Sequence, residues 1–296
     1  MHNQLEFQAV GSWFIVESSG EATDSTAKVT RVPSSREDIF RDCSFDLKAK
    51  RSLVKFLRFV QNYEEQPEVW ESDAENPFPE FLQQKFGLPP SSHGALIALT
   101  LVSDPPQHIT TGFALPKIAR HLRSFGVFGP GFAAVLPKWG GLAEISQVAC
   151  RAGAVGGGVY VLNRGIDSVG SPSDGKVELV LSEGEKVSTA WLAGCSDDIP
   201  SERQPSTTEG IAKSISIISS SLPTLFPPTS EGGVIPAGAV IVVPSVTPEE
   251  LPVHIIVHSH ESGECPASQS TYQFPFIANF HDDHTKLSYL HCLNHS

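Results

Sequence analysis

The residues best placed to do chemistry lie in one short segment. On a helix running from about Leu142 to Ala152, Glu144, Gln147 and Arg151 fall along one side. An acid, an amide and a base in a single exposed row suit the docking of a polar protein surface. The same row also fits a solvated helix face carrying an incidental charge pair. Leu142, Ile145, Ala149 and Ala152 form the opposite, apolar side, which such a helix is expected to bury.

Catalytic patterns are missing. The chain has no GxSxG, no HExxH and no phosphate-binding P-loop. The glycine-rich stretch from Gly153 to Gly158 invites comparison with a dinucleotide loop, but its order is reversed. A dinucleotide site runs strand, glycines, helix, so that the helix N-terminus faces the pyrophosphate. Here a helix comes first and an expected strand, Val159 to Leu162, follows. The glycines are better read as ending the helix and letting the strand pack closely. His258 and His260 alternate as a surface pair. His281, His284, His291 and His295 crowd near Cys292 without zinc spacing. No metal and no cofactor is expected.

Composition narrows the class. The net charge of −12 excludes a general nucleic-acid binder, because phosphates reward Lys and Arg. No apolar run approaches the roughly 20 residues of a membrane span. The first residues carry neither a basic stretch nor an apolar one, so no signal peptide is expected. Five widely spaced cysteines (Cys43, Cys150, Cys195, Cys265 and Cys292) and no CxxC point to reduced thiols and a cytosolic protein.

The elements that must position the row change character along the chain. Residues 1–33 read as two strands in a hairpin with a long loop. From Leu47 to Tyr63 the apolar residues Leu53, Phe56, Leu57 and Val60 repeat at helical spacing, with Lys48, Lys50, Arg51, Lys55 and Arg58 keeping that helix soluble. Shorter helices are expected at Phe78–Phe86, at Ala95–Val102, and around Leu115, Ile118 and Leu122 with Pro116 near the start. Strands follow at 177–181, 187–192, 211–218, 240–243 and 253–257. The helical block holds more apolar side chains than one short helix needs. It fits either an ordinary closed core or a bundle that parts to admit a lipid chain.

Taken in order, these segments resemble the Rab escort protein and Rab GDP-dissociation inhibitor family. The likeness runs through Leu5-Glu6-Phe7, then Val32-Pro33-Ser34-Ser35-Arg36-Glu37-Asp38-Ile39-Phe40, then Lys55-Phe56-Leu57-Arg58-Phe59. It continues through Arg123-Ser124-Phe125-Gly126 and the helix at Gly141-Leu142-Ala143-Glu144, and is most specific at Gly157-Gly158-Val159-Tyr160-Val161-Leu162-Asn163. It covers about residues 4–193, and more weakly to about 257. Phe78, in Asn76-Pro77-Phe78-Pro79, with Asn62-Tyr63-Glu64, Pro67 and Trp70, resembles the escort branch more than the dissociation inhibitors.

The resemblance implies an α/β (α+β) fold: a mixed-sheet domain I similar to flavin-dependent oxidases, with an inserted helical domain II. Residues 1–38 and 128–270 would form domain I, 39–127 domain II, and 271–296 a disordered tail. It implies a non-catalytic accessory protein of Rab geranylgeranyltransferase. Its partners would be GDP-bound Rab GTPases at Glu144, Gln147 and Arg151, and the transferase at Phe78, taken as exposed. Domain II would shelter the geranylgeranyl lipid, with Leu53, Phe56, Leu57, Leu96, Ile118 and Leu122 around it. The place would be the cytoplasm, with transient delivery to membranes, and residues 125–139 would match the family's mobile effector loop. Two departures accompany the resemblance. The family's opening strand, glycine turn and helix are not found before Leu5, so domain I is expected to be incomplete and poorly stable. The signature at the start of the 142–152 helix is also degraded. A Rab GDP-dissociation inhibitor, a flavin-dependent amine-oxidase relative and a non-functional fragment are the alternatives.

Overall fold

The computed structural model describes residues 5–17, 28–33, 46–138, 141–194, 211–245 and 251–277. Strand β1 (Phe7–Glu17) pairs antiparallel with β2 (Lys28–Arg31), Phe14 opposite Arg31, so the expected hairpin is present. The helices follow: α1 (Leu47–Gln61), α2 (Pro67–Trp70), α3 (Phe78–Phe86), α4 (Pro90–Ala98) and α5 (Thr111–Ser124). Then come β3 (Ala134–Pro137), α6 (Leu142–Val155), β4 (Ile166–Val169), β5 (Val177–Leu181) and β6 (Lys186–Thr189). The last strands are β7 (Ile211–Ile218), β8 (Gly238–Val243), β9 (Val253–His258) and β10 (Ser270–Ile277).

Two compact units divide the chain, Met1–Ile145 with Gly210–Ser296, and Ser146–Glu209. In the first, a seven-stranded sheet runs β2-β1-β8-β9-β10-β7, with β3 also on β1. The β1–β8 pair is parallel and the other pairs are antiparallel, which makes the sheet mixed. Strand β8 reads Gly-Ala-Val-Ile-Val-Val because both of its faces are covered. Val240 and Val242 join the helical core with Trp13 and Ile15, while Ala239 and Ile241 pack on the other face with Phe14, Ile255 and Val257. The second unit contains the antiparallel meander β4-β5-β6.

Local chemistry sets the helix ends. The Asp46 carboxylate accepts the Ala49 N–H at 2.6 Å and starts α1. Gly87, at φ +65°, turns the chain out of α3, and the Leu88 N–H donates to the Leu82 carbonyl at 3.2 Å.

Several expectations need correction. Helix α4 starts at Pro90 and ends at Ala98, earlier than expected, because Leu101 takes a positive φ of 51° that no helix continues. Pro116 lies inside α5, where it removes one intrahelical hydrogen bond. Val159 to Leu162 is not a strand: no described strand lies beside it, so its backbone has no ladder to join. Residues 270–277 are a strand and not part of a disordered tail, since β10 pairs with both β7 and β9. The helical block is not a self-contained core either, because Leu53, Phe56 and Ile118 share one apolar cluster with Val10, Trp13, Val240 and Val242. The histidines from His281 onward and Cys292 lie outside the described residues.

Candidate functional site

Helix α6 begins after Gly141, whose φ of +60° lets the chain turn into it, and the Glu144 N–H donates to the Gly141 carbonyl at 3.1 Å. Glu144 is half-buried in the first turn, where the positive end of the helix favours an acid. Gln147 and Arg151 follow along the same side, both exposed. The seven-residue step from Glu144 to Arg151 spans about 10 Å of helix. The structure thus forms the expected row on one continuous helix.

The other side of α6 differs from expectation. Leu142 is 71% exposed, Ile145 is 43% exposed, and α6 contains no buried residue. Among the described residues this apolar side is only partly covered. The helix therefore offers solvent both a polar row and an apolar one.

Glycines end α6 as the sequence suggested. Gly157 takes φ +90°, and the Gly158 N–H donates to the Gly153 carbonyl at 2.8 Å. A Cβ on Gly153 would lie 2.4 Å from the Tyr160 hydroxyl, so the absent side chain is what lets Tyr160 fold back over the helix. Val159 and Leu162 stay more than four-fifths exposed.

Phe78 is not the exposed aromatic that the sequence suggested. It is fully buried, with ring centres 6.0 Å from Phe56 and 6.4 Å from Phe81. Its backbone N–H donates to the Ile109 carbonyl at 2.8 Å, which turns the side chain into the core. The six side chains assigned to a lipid pocket do come together. Leu53, Phe56, Leu96, Ile118 and Leu122 are buried in one cluster, and Leu57 packs half-buried against it. They fill the space between the helices with one another, so a lipid would have to part them.

One feature escaped the sequence reading. Arg51, Lys55 and Arg58 of α1 and Lys85 of α3 rim a groove of about 540 Å³ floored by Phe59 and Phe86. The signal was the run of cations on α1, read only as a soluble face.

Comparison with known proteins adds independent findings. The sequence profile of the family described as "GDI: GDP dissociation inhibitor" matches residues 1–240. The chain is 38% identical over 164 residues to "Rab proteins geranylgeranyltransferase component A" of Saccharomyces cerevisiae, covering 55% of the chain and 25% of that protein. It is 30% identical over 185 residues to "Rab escort protein 1" of Arabidopsis thaliana, covering 57% of the chain and 31% of that protein. The chain thus spans about a quarter to a third of these curated relatives. Among solved structures, Rab GDI from Plasmodium falciparum superposes with a TM-score of 0.71 at 16% identity, over 99% of the chain and 65% of that structure. This last likeness concerns the fold.

Proposed function

The chain belongs to the GDP dissociation inhibitor family, and we propose that it acts within it as a Rab escort protein. The observation that carries this reading is the 38% identity, over 164 residues, to a relative named as component A of the Rab geranylgeranyltransferase. In this role the chain binds GDP-bound Rab GTPases, presents them to the transferase and shelters the lipidated product. It makes and breaks no covalent bond; it is an accessory to the transferase and works in the cytoplasm with transient delivery to membranes.

Rab docks on the α6 row. Glu144 and Arg151 supply charges of opposite sign at the two ends, and Gln147 supplies donors and an acceptor between them. The exposed Leu142 and Ile145 next to this row add apolar area at the same helix. The geranylgeranyl chain enters among Leu53, Phe56, Leu57, Leu96, Ile118 and Leu122 when the helices part. Burial of the isoprenoid then supplies affinity at about 25 cal/mol per Å² of apolar surface, less the cost of opening. Contact with the transferase uses a surface other than the buried Phe78 ring.

A Rab GDP-dissociation inhibitor is the second reading, favoured by the fold of the Plasmodium Rab GDI. A pull-down separates the two, with immobilised Rab loaded with GDP or with GTP, in the presence and absence of transferase. An escort protein retains the chain on Rab–GDP and brings the transferase with it. A dissociation inhibitor retains the chain alone. Equal retention on Rab–GTP, or none on Rab–GDP, contradicts both readings.

A further inference from the structure

The groove between α1 and α3 involves neither the α6 row nor the six core side chains. Helix α1 carries five cations and no acid in a chain with 21 basic and 33 acidic residues. Lys48, Arg51, Lys55 and Arg58 follow one another at steps of three and four, so they share one helix face. Like charges at this spacing repel, and an anion placed among them relieves the repulsion. The last three of these cations line the groove together with Lys85 from α3.

The groove orders its chemistry from rim to floor. Cations stand at the rim, Val54, Phe59, Val69 and Phe86 lie beneath, and no acid among the described residues lines it. Lys85 Nζ is partly neutralised by Asp73 Oδ2 at 2.9 Å, and Lys55 Nζ stands 5.6 Å from the centre of the Phe86 ring. Arg51 and Arg58 have no ion-pair partner among the described residues. Two guanidinium groups are therefore free to take phosphate oxygens.

We propose that this groove seats the phosphorylated headgroup of an anionic lipid at a membrane surface, its apolar floor taking the first methylenes below the headgroup. The sequence of anion and then hydrocarbon matches the groove's cationic rim and apolar floor, and the volume lies in the range of small-molecule sites, about 300–1,000 Å³. An acidic protein segment would satisfy the rim and leave the floor unused. The chain's net charge of −12 does not prevent this. Charges farther than about 8–10 Å are largely screened at physiological salt, so the local cations decide. Because α1 buries Leu53, Phe56 and Val60 in the core, it would rest on the membrane surface and not insert. The proposal is independent of the Rab-binding reading.

Co-sedimentation of the full chain with phosphatidylcholine vesicles, with and without phosphatidylserine, tests it. The chain is expected on the anionic vesicles alone, and to be released by high salt. Arg51→Gln with Arg58→Gln should weaken vesicle partitioning roughly 30-fold, about fivefold per cation at the surface. Arg120→Gln, an exposed cation on α5, should leave it unchanged. Both arginines are exposed, and an unaltered denaturation midpoint would show that the double variant still folds. Equal binding to neutral vesicles, unchanged binding by the double variant, or capture of poly-glutamate with none of the anionic vesicles overturns the proposal.

Discussion

Arg123 at the end of α5 and Glu64 just after α1 form a two-pronged pair across 59 residues of chain: Nη1 donates to Oε1 at 2.9 Å while Nη2 meets Oε2. The same guanidinium donates twice to the Gln61 carbonyl, from Nε at 3.0 Å and Nη2 at 2.7 Å. It also lies 5.9 Å from the centre of the Tyr63 ring. One side chain thereby ties the C-terminal ends of two helices together.

That tie gives the protein an acid-sensitive contribution. The hydrogen bond from Arg123 holds the Glu64 carboxyl below its ordinary value of 4.5. A carboxyl with a depressed folded value adds stability above about pH 4.5 and loses it as pH falls through the folded value. Arg123→Gln should therefore be less stable than the parent at pH 7, and the difference should narrow as pH falls below 4.5, leaving the part that comes from the Gln61 carbonyl. Both groups are largely exposed, so the effect is small and should shrink in high salt. Denaturation midpoints followed from pH 7 downward through the carboxylate range check this; a difference that stays constant throughout contradicts it.

Phe78 makes a different prediction now that it is placed in the core. Truncating a fully buried aromatic costs about 3–5 kcal/mol. Phe78→Ala should show this loss in chemical denaturation, and Phe78→Leu should recover much of it. Wild-type stability in Phe78→Ala would mean that the ring is not packed against Phe56 and Phe81.

The balance between what the sequence showed and what it hid has physical causes. Helices α1 and α3 were legible because apolar spacing, Gly87 and the flanking prolines all point the same way. Strand β8 was legible because a strand buried on both faces is apolar throughout. The row on α6 was legible because helical spacing alone fixes it. Phe78 was misplaced because its segment is acidic and proline-rich, while the ring's direction is set by a long-range hydrogen bond to Ile109. The apolar side of α6 and the 159–162 segment failed for a related reason. Periodicity reports what a residue could bury, and burial also needs a neighbour. Strand β10 was hidden because its pairing with β7 and β9 is non-local. The groove was hidden because a charged stripe reads as solvated until a second element, here α3, closes one side of it.

His121 should dominate a pH effect in the neutral-to-acid range. It is buried edge-on to Trp13, with ring centres 4.7 Å apart, and its Nε2 has no hydrogen-bond partner among the described residues. Burial pushes its pKa down from 6.5 to about 4. Between those values the unfolded chain binds more protons than the folded one, so stability falls as pH drops from 6.5 towards 4. At about 1.4 kcal/mol per unit, the loss approaches roughly 3 kcal/mol at pH 4. Burial lowers His93 and His254 in the same direction, so the His121→Phe variant isolates the one residue. Its stability relative to the parent should rise steadily as pH falls through this window. A constant difference from pH 7 to pH 4 would show that His121 is not held neutral.

The central claim is that the α6 row receives a GDP-bound Rab. Calorimetric titration of Rab–GDP into the chain, into Glu144→Ala and into Arg151→Ala tests it most directly. Each truncation should weaken binding by roughly 1–3 kcal/mol, the range for charged groups at a protein interface. Arg151 is exposed, whereas Glu144 is half-buried at the positive end of α6 and its loss should cost the fold about 0.3–1 kcal/mol, so denaturation midpoints are measured alongside. Affinity lowered in both variants, by more than any loss of fold stability explains, is the result the account predicts. Unchanged affinity in both would make the row a solvated helix face and contradict it.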